Sequence, residues 1–264
     1  MSSITTDQGS VHYEAFGHGR PVILLHGYQG SWGLWQETMT VLGQSYRTYA
    51  LDFWGFGESG SRRSTYALHD FVSLVNQFME QLGIARAPLV GHSMGGTVAL
   101  QTAIEFPERV EKAAVIGAPV VGSSLSFFPR VFGYPAVGWL TYHNLWVYKA
   151  FYRLLAPRYS RHPDWVKIMD RDVSRTALEA FFASIGSLRQ TDLRADLPRI
   201  RVPVLGIFGA LDNVVDPRQR YALAEGVPDV AIELFTGSGH FSMLDQPLEF
   251  VRRLRLFLED APDA

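Results

Sequence analysis

Leu89-Val90-Gly91-His92-Ser93-Met94-Gly95-Gly96 is the stretch on which the reading of this chain turns. The apolar run through residues 87–90 predicts a buried strand, and Thr97-Val98-Ala99-Leu100 opens a helical pattern. Ser93 lies between them, inside Gly-x-Ser-x-Gly. A serine between two glycines at a strand-to-helix reversal can occupy a sharply turned, strained backbone, and a side chain at 91 or 95 would crowd that turn. The turn pushes the hydroxyl outward and aims the N–H groups opening the helix at whatever the oxygen attacks. The plainer alternative is a glycine-rich loop holding an ordinary serine. The flanking strand and helix favour the functional reading, because that context is what the motif requires.

Working outward, the same alternation recurs. Residues 11–16 read as a strand, and Pro21-Val22-Ile23-Leu24-Leu25 is the continuous apolar run of a central parallel strand covered on both faces. His26-Gly27-Tyr28-Gln29-Gly30-Ser31 follows as a loop, residues 32–42 as a helix and 46–51 as a strand. That strand ends in a second glycine-rich loop, Asp52-Phe53-Trp54-Gly55-Phe56-Gly57-Glu58-Ser59. Leu68, Phe71, Val72, Val75, Phe78, Met79 and Leu82 form the stripe of an amphipathic helix. Residues 110–116 are a further buried strand. Strands alternating with helices indicate crossover units and a parallel sheet.

The rhythm breaks at Gly117-Ala118-Pro119. Phe127, Phe128, Phe132, Tyr134, Trp139, Tyr142, Trp146, Tyr148, Phe151 and Tyr152 crowd the next stretch, with helical patterns at 145–155 and 175–185. Residues 119–190 are therefore expected to be a helical insertion over the strand ends, and 1–118 with 191–264 the core domain. The sheet pattern resumes at 202–209, followed by the loop Ala210-Leu211-Asp212-Asn213, a helix at 217–226 and a strand at 230–235. Thr236-Gly237-Ser238-Gly239-His240 is the loop after it. Asp245-Gln246-Pro247 starts a last helix, and residues 260–264 read as a frayed tail.

Bulk properties narrow the class. With 264 residues, 47% hydrophobic and 19% charged, the chain fits one large α/β domain with a sizeable core. A formal net charge of −2 with no long run of one sign argues against nucleic acid or an anionic membrane as partner by bulk electrostatics. The sequence has no cysteine, which suits a reducing compartment, and a cytoplasmic location is the expectation. Residues 1–10 are polar and lack an apolar signal core, and no run of 18 apolar residues suggests a spanning helix. His12, His18, His69, His143 and His162 are scattered without metal-ligand spacing, and the glycine loops lack a phosphate-loop or dinucleotide fingerprint. No metal or cofactor is expected.

A serine hydroxyl is a poor nucleophile at neutral pH; it needs a base in reach and a third group to orient that base. His240 and Asp212, like Ser93, each lie in a loop past the carboxyl end of an expected strand. In an open parallel sheet those ends share one rim, so distant residues can converge. Asp216 rivals Asp212, but it precedes Pro217 directly and reads better as a helix cap. His92 points the wrong way for a base and reads as a packed histidine.

These motifs, in this order, resemble the α/β-hydrolase fold superfamily over nearly the whole chain: His26-Gly27, Gly91-His92-Ser93-Met94-Gly95-Gly96, Gly209-Ala210-Leu211-Asp212 and Gly239-His240. The resemblance implies an α/β architecture, a mostly parallel doubly wound sheet with a helical cap. It implies Ser93 as nucleophile, His240 as general base and then acid, and Asp212 as the orienting carboxylate. It implies backbone N–H groups of Tyr28 and Met94 as the oxyanion hole, with Tyr28 also able to line the pocket. His26 and Asp52 read as structural.

Within that superfamily, epoxide hydrolases and haloalkane dehalogenases use aspartate where Ser93 stands. Carbon–carbon bond hydrolases often carry Asn before the serine and Trp after the histidine, where this chain has His92 and Phe241. Cofactor-free perhydrolases have Phe before the serine and Trp after His-Gly, where it has His92 and Tyr28. Gly-His-Ser-Met-Gly-Gly resembles carboxylesterases and monoacylglycerol-lipase-like enzymes. That points to small-molecule esters with apolar acyl or aryl groups. Arg130, Arg153 and Arg158 are expected on solvated surface. Carbon–carbon hydrolysis, perhydrolysis and a non-catalytic receptor on the same fold stay open, as do monomer and homodimer.

Overall fold

The computed structural model describes residues 2–61 and 63–259. The frayed tail expected at 260–264 lies outside them. The chain runs β1 (Ser2–Thr5), β2 (Gly9–Phe16), β3 (Arg20–Leu25), a 3-10 turn at Trp32–Trp35, α1 (Gln36–Leu42), β4 (Tyr46–Leu51) and the short β5 (Gly60–Ser61). It continues with α2 (Leu68–Gln81), β6 (Ala87–His92), α3 (Met94–Glu105) and β7 (Val110–Ile116). Five helices follow: α4 (Phe127–Phe132), α5 (Pro135–His143), α6 (Leu145–Tyr159), α7 (Trp165–Ser174) and α8 (Leu178–Gln190). The chain then returns with β8 (Val204–Gly209), α9 (Gln219–Gly226), β9 (Val230–Phe235), α10 (Ser242–Asp245) and α11 (Pro247–Glu259).

Among the described residues nine strands form one sheet, in the order β1-β2-β4-β3-β6-β7-β8-β9, with β5 pairing β2. From β4 to β9 every pairing is parallel. β1, β2 and β5 contribute the antiparallel pairs at one side. Successive side chains of a strand point to opposite faces, so a strand buried on both faces must be apolar throughout. β3 does this over 22–25: Ile23 and Leu25 join a cluster with Phe71, Val75 and Phe78 of α2, while Val22 and Leu24 join one with Met39 of α1 and Phe250 and Leu254 of α11. Burying each such side chain contributes about 1.5–3 kcal/mol. The carboxyl ends of β3, β6, β7, β8 and β9 share one rim of the sheet.

The segment between β7 and β8 is richer in helix than its sequence pattern indicates. α4, α5 and α7 are additional to the two expected helices; over α4 and α5, Pro129, Gly133, Pro135 and Gly138 read as punctuation. Pro135 instead occupies the first turn of α5, where its missing N–H is not needed. α6 runs on to Tyr159 through Pro157 in its last turns. The helices are tied to the core at several points. α8 packs on α2, where Leu68 N–H donates to Ser187 Oγ at 3.0 Å. Asp172 of α7 accepts from Ser31 Oγ at 2.8 Å. β1 is also additional: its polar sequence pairs along β2 with mostly exposed side chains. Among the described residues no helix is long and apolar enough to cross a membrane.

Candidate active site

Ser93 is the residue between β6 and α3, with φ 53° and ψ −120°. This positive φ is unusual for a residue with a side chain and costs of order 1–3 kcal/mol, which the surroundings must offset. They do so through the backbone. Ser93 N–H donates to Ile116 O at 2.8 Å, and Ser93 O accepts from Gly96 N at 2.9 Å and Thr97 N at 3.1 Å. The turn needs its two glycines. A Cβ at Gly91 would lie 2.2 Å from Gly95 O, and one at Gly95 would lie 2.4 Å from Leu25 O. The helix therefore starts at Met94, three residues earlier than the Thr97 pattern suggests.

β8 and β9 deliver the two other residues to the same rim. His240 Nδ1 donates to Asp212 Oδ2 at 2.7 Å, and both side chains are almost wholly buried. Asp212 Oδ1 accepts from the N–H groups of Val214 at 2.8 Å and Val215 at 3.0 Å, so three donors fix its carboxylate. Asp216, by contrast, pairs with the Arg218 guanidinium and accepts Arg218 N–H at 2.9 Å, capping the turn before α9. The His240 loop is braced from below, where Gly239 N–H donates to Asp245 Oδ2 at 2.8 Å.

His92 Nε2 donates to the carbonyl of His240 at 3.0 Å, and the two rings lie 4.6 Å apart. Its Nδ1 is buried without a partner, and a Cβ at Gly27 would lie 2.8 Å from it. Burial, then the neighbouring His240, hold its pKa well below that of an ordinary histidine. His92 is thus a neutral packed ring.

The loop after β3 is held by two buried groups. His26 Nδ1 donates to Gly27 O at 2.7 Å and Nε2 accepts from Phe53 N at 2.9 Å, a pattern only the neutral ring satisfies. Burial pulls its pKa down to about 4, against the opposing pull of the Gly27 bond. Asp52 accepts from Trp32 N at 2.6 Å and Glu58 N at 2.9 Å, joining the two glycine loops. Burial nonetheless raises its pKa to about 7. The Tyr28 hydroxyl donates to Phe181 O of α8, and burial pushes its pKa far up. Among the described residues the backbone N–H groups of Tyr28 and Met94 have no hydrogen-bond partner.

Ser93, His240 and Tyr28 line one cavity of about 90 Å³, room for several water molecules. The aromatic stretch divides around it. Phe132, Tyr148, Phe151 and Tyr152 line the cavity, whereas Phe127, Tyr134, Trp139 and Trp146 are exposed. Gln29, Tyr159, Trp165 and Met169 also line it, and no motif in the sequence marks them. Their only signal is position: Gln29 follows Tyr28 in the loop, and the others lie in the insertion. Among the described lining residues there is no Lys, Arg, Asp or Glu. Arg130, Arg153 and Arg158 are exposed, and Arg153 pairs with Asp170.

Comparisons with known proteins agree with this architecture. The family model described as alpha/beta hydrolase fold matches residues 20–247. A protein of Variovorax paradoxus (strain S110), provisionally named a carbamate hydrolase, is 32% identical over 262 residues, covering 94% of this chain and 96% of its own. The pimeloyl-(acyl-carrier protein) methyl ester esterase of Aliivibrio fischeri (strain MJ11) is 26% identical over 256 residues, covering 94% and 97%. The solved enol-lactonase of Burkholderia xenovorans LB400 superposes with a TM-score of 0.85 at 20% identity, over 98% of this chain and 100% of that one, and so shares the fold. The chain belongs to the alpha/beta hydrolase fold family and is a hydrolase of that fold.

Proposed function

We propose that this hydrolase is a serine esterase cleaving carboxylic esters of small to medium apolar acyl or aryl groups through an acyl-enzyme. The observation that supports it most is the His240–Asp212 bond of 2.7 Å beside a cavity that His240 shares with Ser93. Residues 119–190 act in this reading as a cap that walls the cavity with apolar rings.

The proposed cycle needs no group beyond the chain and water. Ser93 Oγ attacks the ester carbonyl as His240 Nε2, the ring nitrogen not bonded to Asp212, takes its proton. Asp212 holds the ring tautomer and stabilises the imidazolium. The carbonyl oxygen gains the negative charge and accepts from the N–H groups of Tyr28 and Met94, which are free to donate and sit beside the start of α3. The C–O bond to the alcohol breaks, and the alcohol leaves with the proton from His240. Water then attacks the acyl group, giving its proton to His240; Ser93 departs and recovers that proton, and the carboxylic acid is released.

Turnover of p-nitrophenyl acetate and butyrate by the wild type and Ser93→Ala, at mildly alkaline pH, tests this. The reading expects a loss of about 10³-fold or more in kcat for the variant. Equal negligible rates in both proteins reject esterase chemistry and leave a binding role on the same fold.

A further inference from the structure

The outer face of the helices between β7 and β8 is apolar where a solvated face would be polar. Among the described residues, more than half of the large apolar side chains that stand exposed fall within 127–154. Such a concentration marks an interaction surface rather than scattered exposure. α6 divides lengthwise. Tyr148 and Tyr152 line the catalytic cavity, whereas Trp146, Val147, Ala150 and Leu154 form an exposed strip on the other side. Trp146 is 73% exposed and Leu154 79%. Trp139 and Leu140 of α5, which packs on α6, are also exposed.

The charge around this face has one sign. Residues 119–163 hold Arg130, Lys149, Arg153, Arg158 and Arg161 and no Asp or Glu, an imbalance that the net charge of −2 conceals. At about 3.6 residues per turn, the exposed Arg153 and Arg158 fall at the two edges of the apolar strip of α6. Asp170 of α7 pairs with Arg153, but among the described residues no carboxylate pairs with Arg158. An apolar strip with tryptophan, edged by arginines, matches the boundary between acyl chains and anionic headgroups. A second copy of the chain would instead bring like charges together across a two-fold contact. The face is also continuous with the catalytic cavity. A cleft of about 470 Å³ is lined by Leu140 and Val147 of the face and by Phe132, Tyr148 and Phe151, the rings that wall that cavity.

We infer that the outer face of α5 and α6 seats this protein on an anionic lipid surface, with acyl chains against Trp139, Trp146 and Leu154 and headgroups at the flanking arginines. Its substrates are then esters dissolved in the lipid layer, a statement that rests on the esterase reading. The binding itself does not.

Sedimentation with vesicles of phosphatidylcholine alone, and of equal parts phosphatidylcholine and phosphatidylglycerol, tests the surface. The wild type should pellet with the mixed vesicles, bind phosphatidylcholine more weakly, and lose the difference at high salt, which screens exposed charge. Trp146→Gln with Leu154→Gln should weaken binding to both by about tenfold or more. Arg158→Gln should weaken binding to the mixed vesicles alone, by about fivefold. All three side chains are exposed, so the urea midpoints of the variants should equal that of the wild type. A wild type that stays in solution with both vesicles overturns the inference, as does binding kept by the double variant. A concentration-dependent dimer that the double variant abolishes, without vesicle binding, also overturns it and gives the face to a second copy. Vesicle binding without hydrolysis of p-nitrophenyl butyrate or of an ester carried in the vesicles rejects esterase chemistry and keeps the surface. Hydrolysis without vesicle binding keeps the chemistry and rejects the surface.

Discussion

His240 and Asp212 share a 2.7 Å hydrogen bond at Nδ1, which leaves one imidazole nitrogen for other work. The bond is sealed from solvent, and the other Asp212 oxygen is held by two backbone N–H groups. Asp212→Asn preserves the shape but can present an N–H to the ring and force the wrong tautomer. The expected result is a fall in kcat of about 10³–10⁴-fold with little change in KM. Steady-state kinetics on p-nitrophenyl butyrate check it; a variant within a few-fold of the wild type contradicts the role.

The turn at Ser93 makes a stability prediction. A Cβ at Gly95 would stand 2.4 Å from Leu25 O and 2.5 Å from His26 O, backbone atoms that cannot step aside without moving β3. Gly95→Ala is expected to lower stability by about 2 kcal/mol or more. Urea unfolding followed by circular dichroism measures this, and a midpoint equal to that of the wild type contradicts it.

Much of this architecture is legible in the chain because its signals are local. The apolar runs of β3, β6 and β7 announce burial on both faces, and Gly-x-Ser-x-Gly between a strand and a helix announces the turn. The order of the strands is not local, and neither is the choice between Asp212 and Asp216, which a contact with His240 in a distant loop makes. Gln29 and Trp165 gave no warning for the same reason. Their place in the cavity wall depends on how α6 and α7 settle over the loop after β3. α4 and α5 are masked by Pro129, Pro135 and Gly138, which lie inside helices, and by Gly133, which closes α4.

Asp52 gives a pH dependence with a definite sign. Its folded pKa of about 7 stands above its ordinary value of 3.8, so the folded chain keeps a proton that the unfolded chain releases. Its contribution therefore falls as pH rises from about 4 to 7. His26, pulled down to about 4, acts oppositely and costs stability as pH falls below its ordinary 6.5. Asp52→Asn removes only the first effect. It should be less stable than the wild type in acid, because one of the two N–H groups loses its acceptor, at about 1–3 kcal/mol. The gap should narrow as pH rises towards 7. Thermal unfolding across this range checks it, and a gap independent of pH contradicts the assignment.

Phe132 walls the cavity, its ring edge-on to Tyr148 at 5.2 Å. Phe132→Ala should open room for a longer acyl chain. The ratio of kcat/KM for octanoate over acetate esters is expected to rise about tenfold, as one or two more methylenes find contact. An unchanged acyl-length profile contradicts the placing of the acyl group against the cap.

In the proposed cycle Ser93 Oγ forms a covalent bond to the substrate's acyl carbon. Its most direct measurement is peptide mass spectrometry after reaction with diethyl p-nitrophenyl phosphate, which phosphorylates an activated serine. The expected result is one diethylphosphoryl group per chain, on the peptide containing Ser93, with loss of esterase activity in step and no adduct in Ser93→Ala. A wild-type chain that hydrolyses esters yet carries no adduct, or carries it on another residue, would contradict it.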